Sequence, residues 1–178
     1  AIFASIIYGY ALSLSNKLNS KVSISLGVHS GDHAIYPDCR PEFYQKLNDA
    51  FDIGNWDSDK VELNLPYIDG DKTTILQDAI ISCEQLHLDF DFVFANTNTS
   101  YEPDEEGRSS GKTGSDIERI LAFNAIGRKD PVTYQDEWDD VLSHALSIEA
   151  EYMDKIYREK LTEMQYQVTR NGATERAF

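Results

Sequence analysis

The sequence has few basic residues and no long apolar run, and each shortage excludes a class of protein. Of its 178 residues, 16 are Lys or Arg and 31 are Asp or Glu, which gives a formal net charge of -15. Because an acidic surface repels phosphate backbones, we expect no nucleic-acid partner. No apolar stretch is long enough to span a bilayer, so we expect no membrane partner either.

Cysteine is equally scarce. The chain contains only Cys39 and Cys83, at a wide spacing, which does not indicate a disulfide scaffold. The opening residues AIFASIIYGYALSLS lack the basic region of a secretory signal, and their apolar stretch is interrupted by Tyr8, Gly9 and Tyr10. A cytoplasmic location, with reduced thiols, is the expectation.

Hydrophobic periodicity predicts alternating strands and helices, followed by a charged helix or helix pair over 137–164. The first helix is apolar nearly all round, which predicts that it is buried. The predicted elements before Pro131 are a helix over 2–18, a strand over 21–28, a helix over 41–54, a strand over 60–68, a helix over 73–86 capped by Asp69 or Asp71, a strand over 92–96 and a helix over 115–127 capped by Ser115 or Asp116.

This alternation predicts an α/β domain with a parallel sheet. In such a sheet, ligands bind beyond the carboxyl ends of the strands. Two polar loops, 27–40 and 96–114, follow predicted strands and are therefore candidate sites.

The loop 27–40 and the residues just after it contain groups suited to a heterocyclic acid. Asp32 and Asp38 can accept hydrogen bonds from ring N–H and amino groups, and Arg40 can bind a carboxylate through two hydrogen bonds. Tyr36 and Phe43 can form the wall of a pocket. The alternative is structural, since Asp–Arg pairs often close loops and Tyr-Pro often only turns the chain.

Other candidates in this region are weaker. His29 and His33 are four residues apart, but on a glycine-containing loop that spacing does not place two rings together, and no third ligand lies nearby. Cys39 has no base that the sequence assigns to it, so we interpret it as a small apolar residue.

The segment GRSSGKTGSD, 107–116, resembles a phosphate-binding P-loop, but its spacing is wrong. That motif has four residues between its first glycine and Gly-Lys-Ser/Thr, whereas only three separate Gly107 from Gly111. Glu106 stands where the first glycine should be, and its carboxylate would repel phosphate. We interpret the segment as a polar loop before the next helix.

Four blocks of the chain are similar, in order, to the 7-cyano-7-deazaguanine synthase (QueC) family. The most specific is GVHSGDHAIYPDCRPEF, which resembles that family's YPDCRPEF segment. The others are IFASIIYGYAL, PYIDGDKTTIL, and TSY followed by SSGKTGSDIERILAF. The resemblance covers residues 1–128. It implies a Rossmann-like parallel sheet of the adenine-nucleotide alpha-hydrolase type, and residues 129–178 then form a helical C-terminal extension.

The resemblance also implies a reaction. The family uses ATP, with Mg²⁺, to activate 7-carboxy-7-deazaguanine as an adenylate; ammonia then gives the amide, and a second ATP-driven step gives the nitrile. The residues that it assigns in this chain are Gly27 and His29 beside the nucleotide, Asp32, Tyr36, Asp38 and Phe43 around the base, and Arg40 and Lys72 as catalytic residues.

This sequence departs from the family at the zinc site. The four family cysteines correspond to Ser100, Ser110, Thr113 and Asp116. Neutral hydroxyls bind zinc poorly, and one carboxylate does not replace four thiolates. We therefore expect no zinc, and expect this loop to be held by hydrogen bonds, by the following helix or by a partner.

A second departure is the family's initial Ser-Gly-Gly-x-Asp-Ser pyrophosphate loop, which this sequence does not contain. The expected partner is therefore a polypeptide half that carries this loop. The C-terminal helices are expected either to pack on the sheet or to form a dimer interface.

Two alternatives to the synthase activity stay open. The activated deazaguanine could be delivered to another amine, such as one on a protein, that enters at the loop 97–114. Alternatively, the chain could be a non-catalytic binding subunit whose C-terminal helices are its interface.

Overall fold

The computed structural model of the chain describes residues 2–31 and 36–171, and these form two compact units that divide between Phe90 and Asp91. The fold is mixed α/β, mostly helical, with a small parallel sheet. The elements of the first unit are α1 (Ile2–Leu18), β1 (Val22–Ser25), α2 (Pro41–Gly54), β2 (Val61–Asn64) and α3 (Lys72–Leu86), with 3-10 turns at Pro37–Cys39 and Ser58–Lys60. The elements that follow are α4 (Phe90–Ala95), α5 (Gly114–Ala125), α6 (Trp138–Lys160) and α7 (Glu163–Asn171). None of the described helices is long and apolar enough to cross a membrane.

The parallel pairing predicted for the first two strands is confirmed. β1 and β2 are neighbours, with Val22 opposite Val61 and Ser25 opposite Asn64. Both strands are shorter than predicted. Ile24 and Val61 are buried in one cluster with α1, whereas Ser25 and Asn64 are exposed, as the two-residue period of a strand requires.

The predicted bounds of α1 are confirmed, but the prediction that the whole helix is buried is wrong. One stripe, Ala4, Tyr8, Ala11 and Ser15, is buried, and the Tyr8 ring stacks on Phe51 of α2 at 4.0 Å. The opposite stripe is exposed because no described residue covers it. We call it the open face of α1; its members are Ile2, Phe3, Ile6, Ile7 and Tyr10.

The caps of α2 and α3 are largely as predicted. Pro41 is the first residue of α2, where its missing N–H costs no hydrogen bond, and the helix ends at Gly54. Asp71, one of the two predicted caps, precedes α3 and accepts a hydrogen bond of 2.7 Å from the amide of Thr74. These caps fix where the loops after each strand meet the next helix.

The predicted strand over 92–96 is wrong, because Phe90–Ala95 is a helix. Its side chains pack with helical spacing: Phe90 is buried, and Phe94 contacts Phe123 of α5 edge to face, at a centroid distance of 5.7 Å. The amide of Asn96 and the hydroxyl of Thr97 donate to carbonyls at the end of the helix. The loop 96–114 therefore follows a helix, and the expectation that it leaves a strand end is wrong.

In the second unit, α5 and α6 pack together around Ile120, Val141 and Ala145. Thr113, rather than Ser115 or Asp116, is the N-cap of α5, and its hydroxyl accepts from the amide of Asp116 at 3.3 Å. The carboxylate of Asp116 accepts in turn from the amide of Thr113 at 3.3 Å, which completes a capping box. The charged C-terminal region is a helix pair, α6 and α7, which is one of the two predicted alternatives, and α7 continues beyond the predicted end at residue 164.

Candidate active site

The loops that follow β1 and β2 lie side by side at the carboxyl ends of the strands. The amide of Leu26 donates to the carbonyl of Asn64 at 3.0 Å, and the amide of Gly31 donates to Gly70 at 2.9 Å. A Cβ atom at Gly31 would lie 2.5 Å from the Gly70 carbonyl oxygen, so only glycine fits there. The hydroxyl of Ser30 donates to Ile68. One of the two predicted loops, 27–40, is thus at the place where parallel sheets bind ligands.

This arrangement brings His29 near the start of α3, where Lys72 is the first residue. The amide of Thr74 lowers the pKa of Asp71 most, against the opposing effect of burial, and the His29 imidazole lowers it further. His29 therefore lies within electrostatic range of the Asp71 carboxylate. Two predicted site residues, His29 and Lys72, thus come from neighbouring loops at the strand ends, and Gly27 lies just after β1.

Three other predicted residues, Tyr36, Asp38 and Arg40, lie at the turn before α2. A fourth, Phe43, lies in the first turn of α2. The amide of Cys39 donates to the Tyr36 carbonyl at 2.9 Å, which forms the 3-10 turn Pro37–Cys39. Tyr36, Asp38 and Arg40 are exposed on this turn. Their side chains are therefore accessible to a ligand.

Phe43 is half-buried, and its ring contacts Tyr44 edge to face, at 5.1 Å and 85°. Tyr44 is buried, and burial raises its pKa, with smaller contributions from Cys39 and Asp38. The rings thus anchor the start of α2. Asp32 and His33 fall within residues 32–35, outside the described residues, and the candidate site consists of two parts, the turn before α2 and the His29–Lys72 group.

A cavity of about 530 Å³ opens between the start of α2 and the loop after β2. Pro41 and Tyr44 line it from α2, and Leu65 and Ile68 line it from the segment after β2. Its volume is within the range of small-molecule pockets. None of the predicted site residues that the structure describes lines this cavity, and Tyr44 and Ile68, which do line it, were not among those predicted.

The described residues do not by themselves fit the triphosphate of ATP. The amide of Thr74, at the positive end of α3, is already bonded to the carboxylate of Asp71. Among the described residues, no glycine- and serine-rich loop follows a strand with the spacing of a phosphate-binding motif. The described residues therefore form no cradle for the phosphates of such a group.

The segment that resembles a P-loop has a structural role at each of its three key residues. Gly111 has a φ of +73°, and an added Cβ would lie 2.7 Å from the Val141 side chain. The ammonium of Lys112 lies 3.2 Å from the Asp136 carboxylate, and Thr113 caps α5. The interpretation as a polar loop before a helix is confirmed for 107–113, whereas 114–116 form the first turn of α5.

The four positions that correspond to zinc ligands meet in one hydrogen-bonded centre, the Asp116 centre, defined as Ser100, Ser110, Thr113 and Asp116. Oδ2 of Asp116 accepts from the hydroxyl of Ser100 at 2.9 Å, the hydroxyl of Ser110 at 3.0 Å and the amide of Thr113 at 3.3 Å. Asp116 is 1% exposed. Of the three supports expected for this loop, the structure shows hydrogen bonds and the following helix, since Asp116 belongs to α5.

The other carboxylate oxygen of Asp116, Oδ1, is buried and has no hydrogen bond within the described residues. The described part of the chain also holds no group of three or more His, Cys, Asp or Glu side chains arranged to bind a metal ion. The Asp116 centre consists of one carboxylate and hydroxyl groups, a donor set suited to hydrogen bonding rather than to zinc.

Sequence reasoning assigned no role to a second buried network, around Arg119. The Arg119 guanidinium donates to both carboxylate oxygens of Asp130, at 2.6 and 2.9 Å, and to the hydroxyl of Thr97 at 2.8 Å. The hydroxyl of Tyr134 donates to Asp130 at 2.8 Å, and burial followed by the Asp130 charge raises the pKa of Tyr134. The network ties Thr97, at the start of the loop 96–114, and the segment that follows α5 to Arg119 of α5.

Comparisons with known proteins identify the family. The sequence model described as "Queuosine biosynthesis protein QueC" matches residues 3–127. The 7-cyano-7-deazaguanine synthase of Psychromonas ingrahamii is 41% identical over 135 residues, which cover 76% of this chain and 53% of that protein. 7-Cyano-7-deazaguanine synthase 1 of Colwellia psychrerythraea is 42% identical over 134 residues, covering 75% of this chain and 54% of that protein.

The chain therefore spans about half the length of the curated relatives that it matches. No solved structure gives a significant match. The family match includes both loops at the strand ends, the turn before α2 and the Asp116 centre. On the identity and coverage of these matches, the chain belongs to the QueC family of queuosine biosynthesis proteins.

Proposed function

We propose that this chain is the substrate-binding half of an ATP-dependent ligase of the QueC type. The ligase would convert 7-carboxy-7-deazaguanine, through the amide, towards 7-cyano-7-deazaguanine. The observation that carries the proposal is the meeting of the loops after β1 and β2, which places His29 beside the start of α3 at the strand ends. Family membership supports it, since the relatives are named 7-cyano-7-deazaguanine synthases.

The proposal includes a larger fold. β1 and β2 would be two strands of a Rossmann-like parallel sheet of the adenine-nucleotide alpha-hydrolase type, completed by a half that carries the pyrophosphate loop. That half would hold the phosphates, because the described residues do not. The domain boundary would fall near residue 128, with 129–178 as a helical extension.

ATP, with Mg²⁺, would supply the activation that turns the carboxylate oxygen of the substrate into a good leaving group. Lys72 would neutralise negative charge on the departing phosphate with its ammonium group, because Lys72 is the first residue of α3, beside the strand ends. Gly27 and His29 would border the nucleotide. Ammonia would be the amine that attacks the activated carbon.

The turn before α2 would recognise the base. Asp38 would accept hydrogen bonds from the amino group and ring N–H, and Tyr36 and Phe43 would wall the ring, with Asp32 as a second acceptor. Two prolines restrict this turn, and the contact of Phe43 with Tyr44 anchors its end. Arg40 would hold an anionic group, since its guanidinium is exposed.

The test combines the chain with the part of the P. ingrahamii relative outside the matched region, ATP, Mg²⁺, 7-carboxy-7-deazaguanine and an ammonium salt. AMP release that depends on the base, together with a base product of nitrile mass, is expected. The absence of AMP, with the two halves associated and folded, would contradict the ligase and leave a binding subunit as the function.

The role of Asp38 is tested by Asp38→Ala in the same mixture. We expect the dissociation constant for the base, measured by calorimetry, to rise about tenfold or more, since a lost hydrogen bond to a charged group costs about 1.5–3 kcal/mol. Asp49→Ala is the control, because Asp49 is an exposed carboxylate of α2 outside the site. Equal affinities for Asp38→Ala and the control would refute this role.

A second candidate function keeps the activation and changes the acceptor to another amine, such as one on a protein. The Asp116 centre favours it, because the loop 97–114 is built on hydrogen bonds at the positions where the family carries cysteines. A base-sized mass added to a protein amine, instead of the nitrile, would distinguish this function from the first.

A further inference from the structure

The open face of α1 is a wide apolar surface on a helix that already buries another side. At 100° per residue, the buried residues Ala4, Tyr8, Ala11 and Ser15 span about 60° of the helix, and the open face spans about 140° on the other side. Its side chains are between 41% and 82% exposed. Phe3, at 82%, is the most exposed of them.

A helix that is apolar on two sides belongs between two layers of a domain. The first layer is present, since Tyr8 and Ala11 pack with Ile24 and Val61 of the sheet. Contiguous apolar surface of this kind on a soluble protein marks an interaction site. No charged residue occurs in α1 before Lys17, so the missing layer must itself be apolar at the contact.

The sheet beneath α1 also has uncovered edges within the described residues. Within the described residues it has two strands, so each strand has a neighbour on one side only. Parallel sheets usually contain more strands and are covered by helices on both faces. The element that covers α1 and the strands that extend the sheet would therefore belong to one partner.

We infer that the open face of α1 binds the half of the QueC fold that the relatives contain and this chain does not match. The matched residues cover 53% of the P. ingrahamii relative, so about half of that protein lies outside the match. A second copy of this chain is disfavoured, because each copy carries a net charge of -15 and the copies repel each other. The inference rests on the proposed function, whose partner it places on a named surface.

The test coexpresses the tagged chain with the part of the P. ingrahamii relative outside the matched region. The wild-type chain is expected to retain that part on an affinity column. The Phe3→Glu/Ile6→Glu variant is expected to lose at least nine-tenths of it, because two charges would be buried without partners. Ile53→Glu is the matched control, since Ile53 is an isoleucine of α2 that is 89% exposed and lies outside the open face.

Far-UV circular dichroism checks that the variants keep their helices, and a photo-crosslinking residue at position 3, compared with position 53, checks the contact without a charge. Crosslinking to the partner at 3 and not at 53 is expected. Retention of the partner by a folded Phe3→Glu/Ile6→Glu chain, no association of the wild type, or a homodimer through position 3 would each overturn the inference. Association without AMP release would support the docking surface and contradict the ligase, so the two proposals fail separately.

Discussion

Asp71 shows how one side chain can position a candidate site and also make it sensitive to acid. It caps α3 through the amide and the hydroxyl of Thr74, at 2.7 and 2.9 Å, directly before Lys72. Loss of the cap would fray the turn from which Lys72 projects. The sequence indicated Asp71 as one of two possible caps, because either aspartate precedes the helical run, and only the backbone geometry of the loop decides between them.

Replacing Asp71 by Ala should lower the free energy of unfolding at pH 7 by about 1 kcal/mol, the usual value of an N-cap. The folded-state pKa of Asp71 is lowered, so its stabilisation is complete above the ordinary aspartate pKa of about 3.9 and is lost as the pH falls through the lower folded value. The difference between wild type and Asp71→Ala should therefore shrink below about pH 4, as measured by urea unfolding.

Asp71→Asn is the control for that pH series. Its amide oxygen still accepts from Thr74 but does not titrate, so this variant should keep a cap whose contribution is independent of pH. A difference between wild type and Asp71→Ala that stays constant from pH 7 to about pH 3 would contradict the assignment.

Asp116 is the second residue with a testable role, because its carboxylate oxygen Oδ2 accepts from two hydroxyls and an amide. Asp116→Asn would replace a charged acceptor by an amide and should destabilise the second unit by about 2 kcal/mol. Urea unfolding followed by the fluorescence of Trp138, which lies in that unit, measures the change. The control Glu105→Gln makes the same exchange on an exposed side chain of the same loop and should leave the midpoint unchanged. Equal urea midpoints for the two variants would contradict a stabilising role for Asp116.

At the scale of elements, the sequence predicted the helices and the first two strands better than the third strand. α1, α2 and α3 carry terminal signals, such as Pro41 and Gly54, that act locally. FVFAN has strand-like composition, yet it forms α4, because Phe94 packs on Phe123 across the unit. Tertiary packing overrode local propensity there, and no local signal indicates it.

The same distinction applies to the candidate site. The YPDCRP turn was predictable because its prolines and polar groups are contiguous, and the structure places it at the start of α2. The Arg119–Asp130 network was not, since Arg119, Asp130 and Thr97 come from three segments that only the fold brings together. The burial of α1 was mispredicted because the prediction assumed a covering layer.

Because Ser100, Ser110, Thr113 and Asp116 meet at the Asp116 centre, we predict that cysteines at these four positions would form a metal site. In the variant Ser100→Cys/Ser110→Cys/Thr113→Cys/Asp116→Cys, four thiolates would lie close enough to bind one Zn²⁺ tetrahedrally. Zinc content after dialysis, and the absorption spectrum of the cobalt-substituted protein, measure binding. A matched variant with Ser109→Cys in place of Ser110→Cys should bind more weakly. A folded quadruple variant that binds no zinc would refute the convergence.

For the whole molecule, charge imbalance dominates over individual ion pairs. Surface pairs such as Lys112–Asp136 and Arg158–Asp154 are exposed and contribute little. The surplus of 31 acidic over 16 basic residues leaves mutual repulsion that unfolding relieves. We therefore expect repulsion between acidic side chains to be the main salt-dependent contribution to the free energy of unfolding.

Raising NaCl from about 20 to about 500 mM, which shortens the screening length several-fold, should accordingly raise the urea midpoint of unfolding. KCl should give the same rise, because the effect is general screening. A midpoint that falls with salt would show that the ion pairs outweigh the repulsion.

Gly111 has a consequence for which substitutions this chain can accept. Its left-handed backbone and its contact with Val141 of α6 exclude any side chain, whereas a Cβ at Gly114 would meet no atom within 4 Å. A library randomised over 107–116 would therefore keep glycine at 111 and admit alanine or serine at 114. The glycine of Gly-Lys-Thr, a sequence suggestive of nucleotide binding, is therefore required here by the close approach of a helix thirty residues further along the chain.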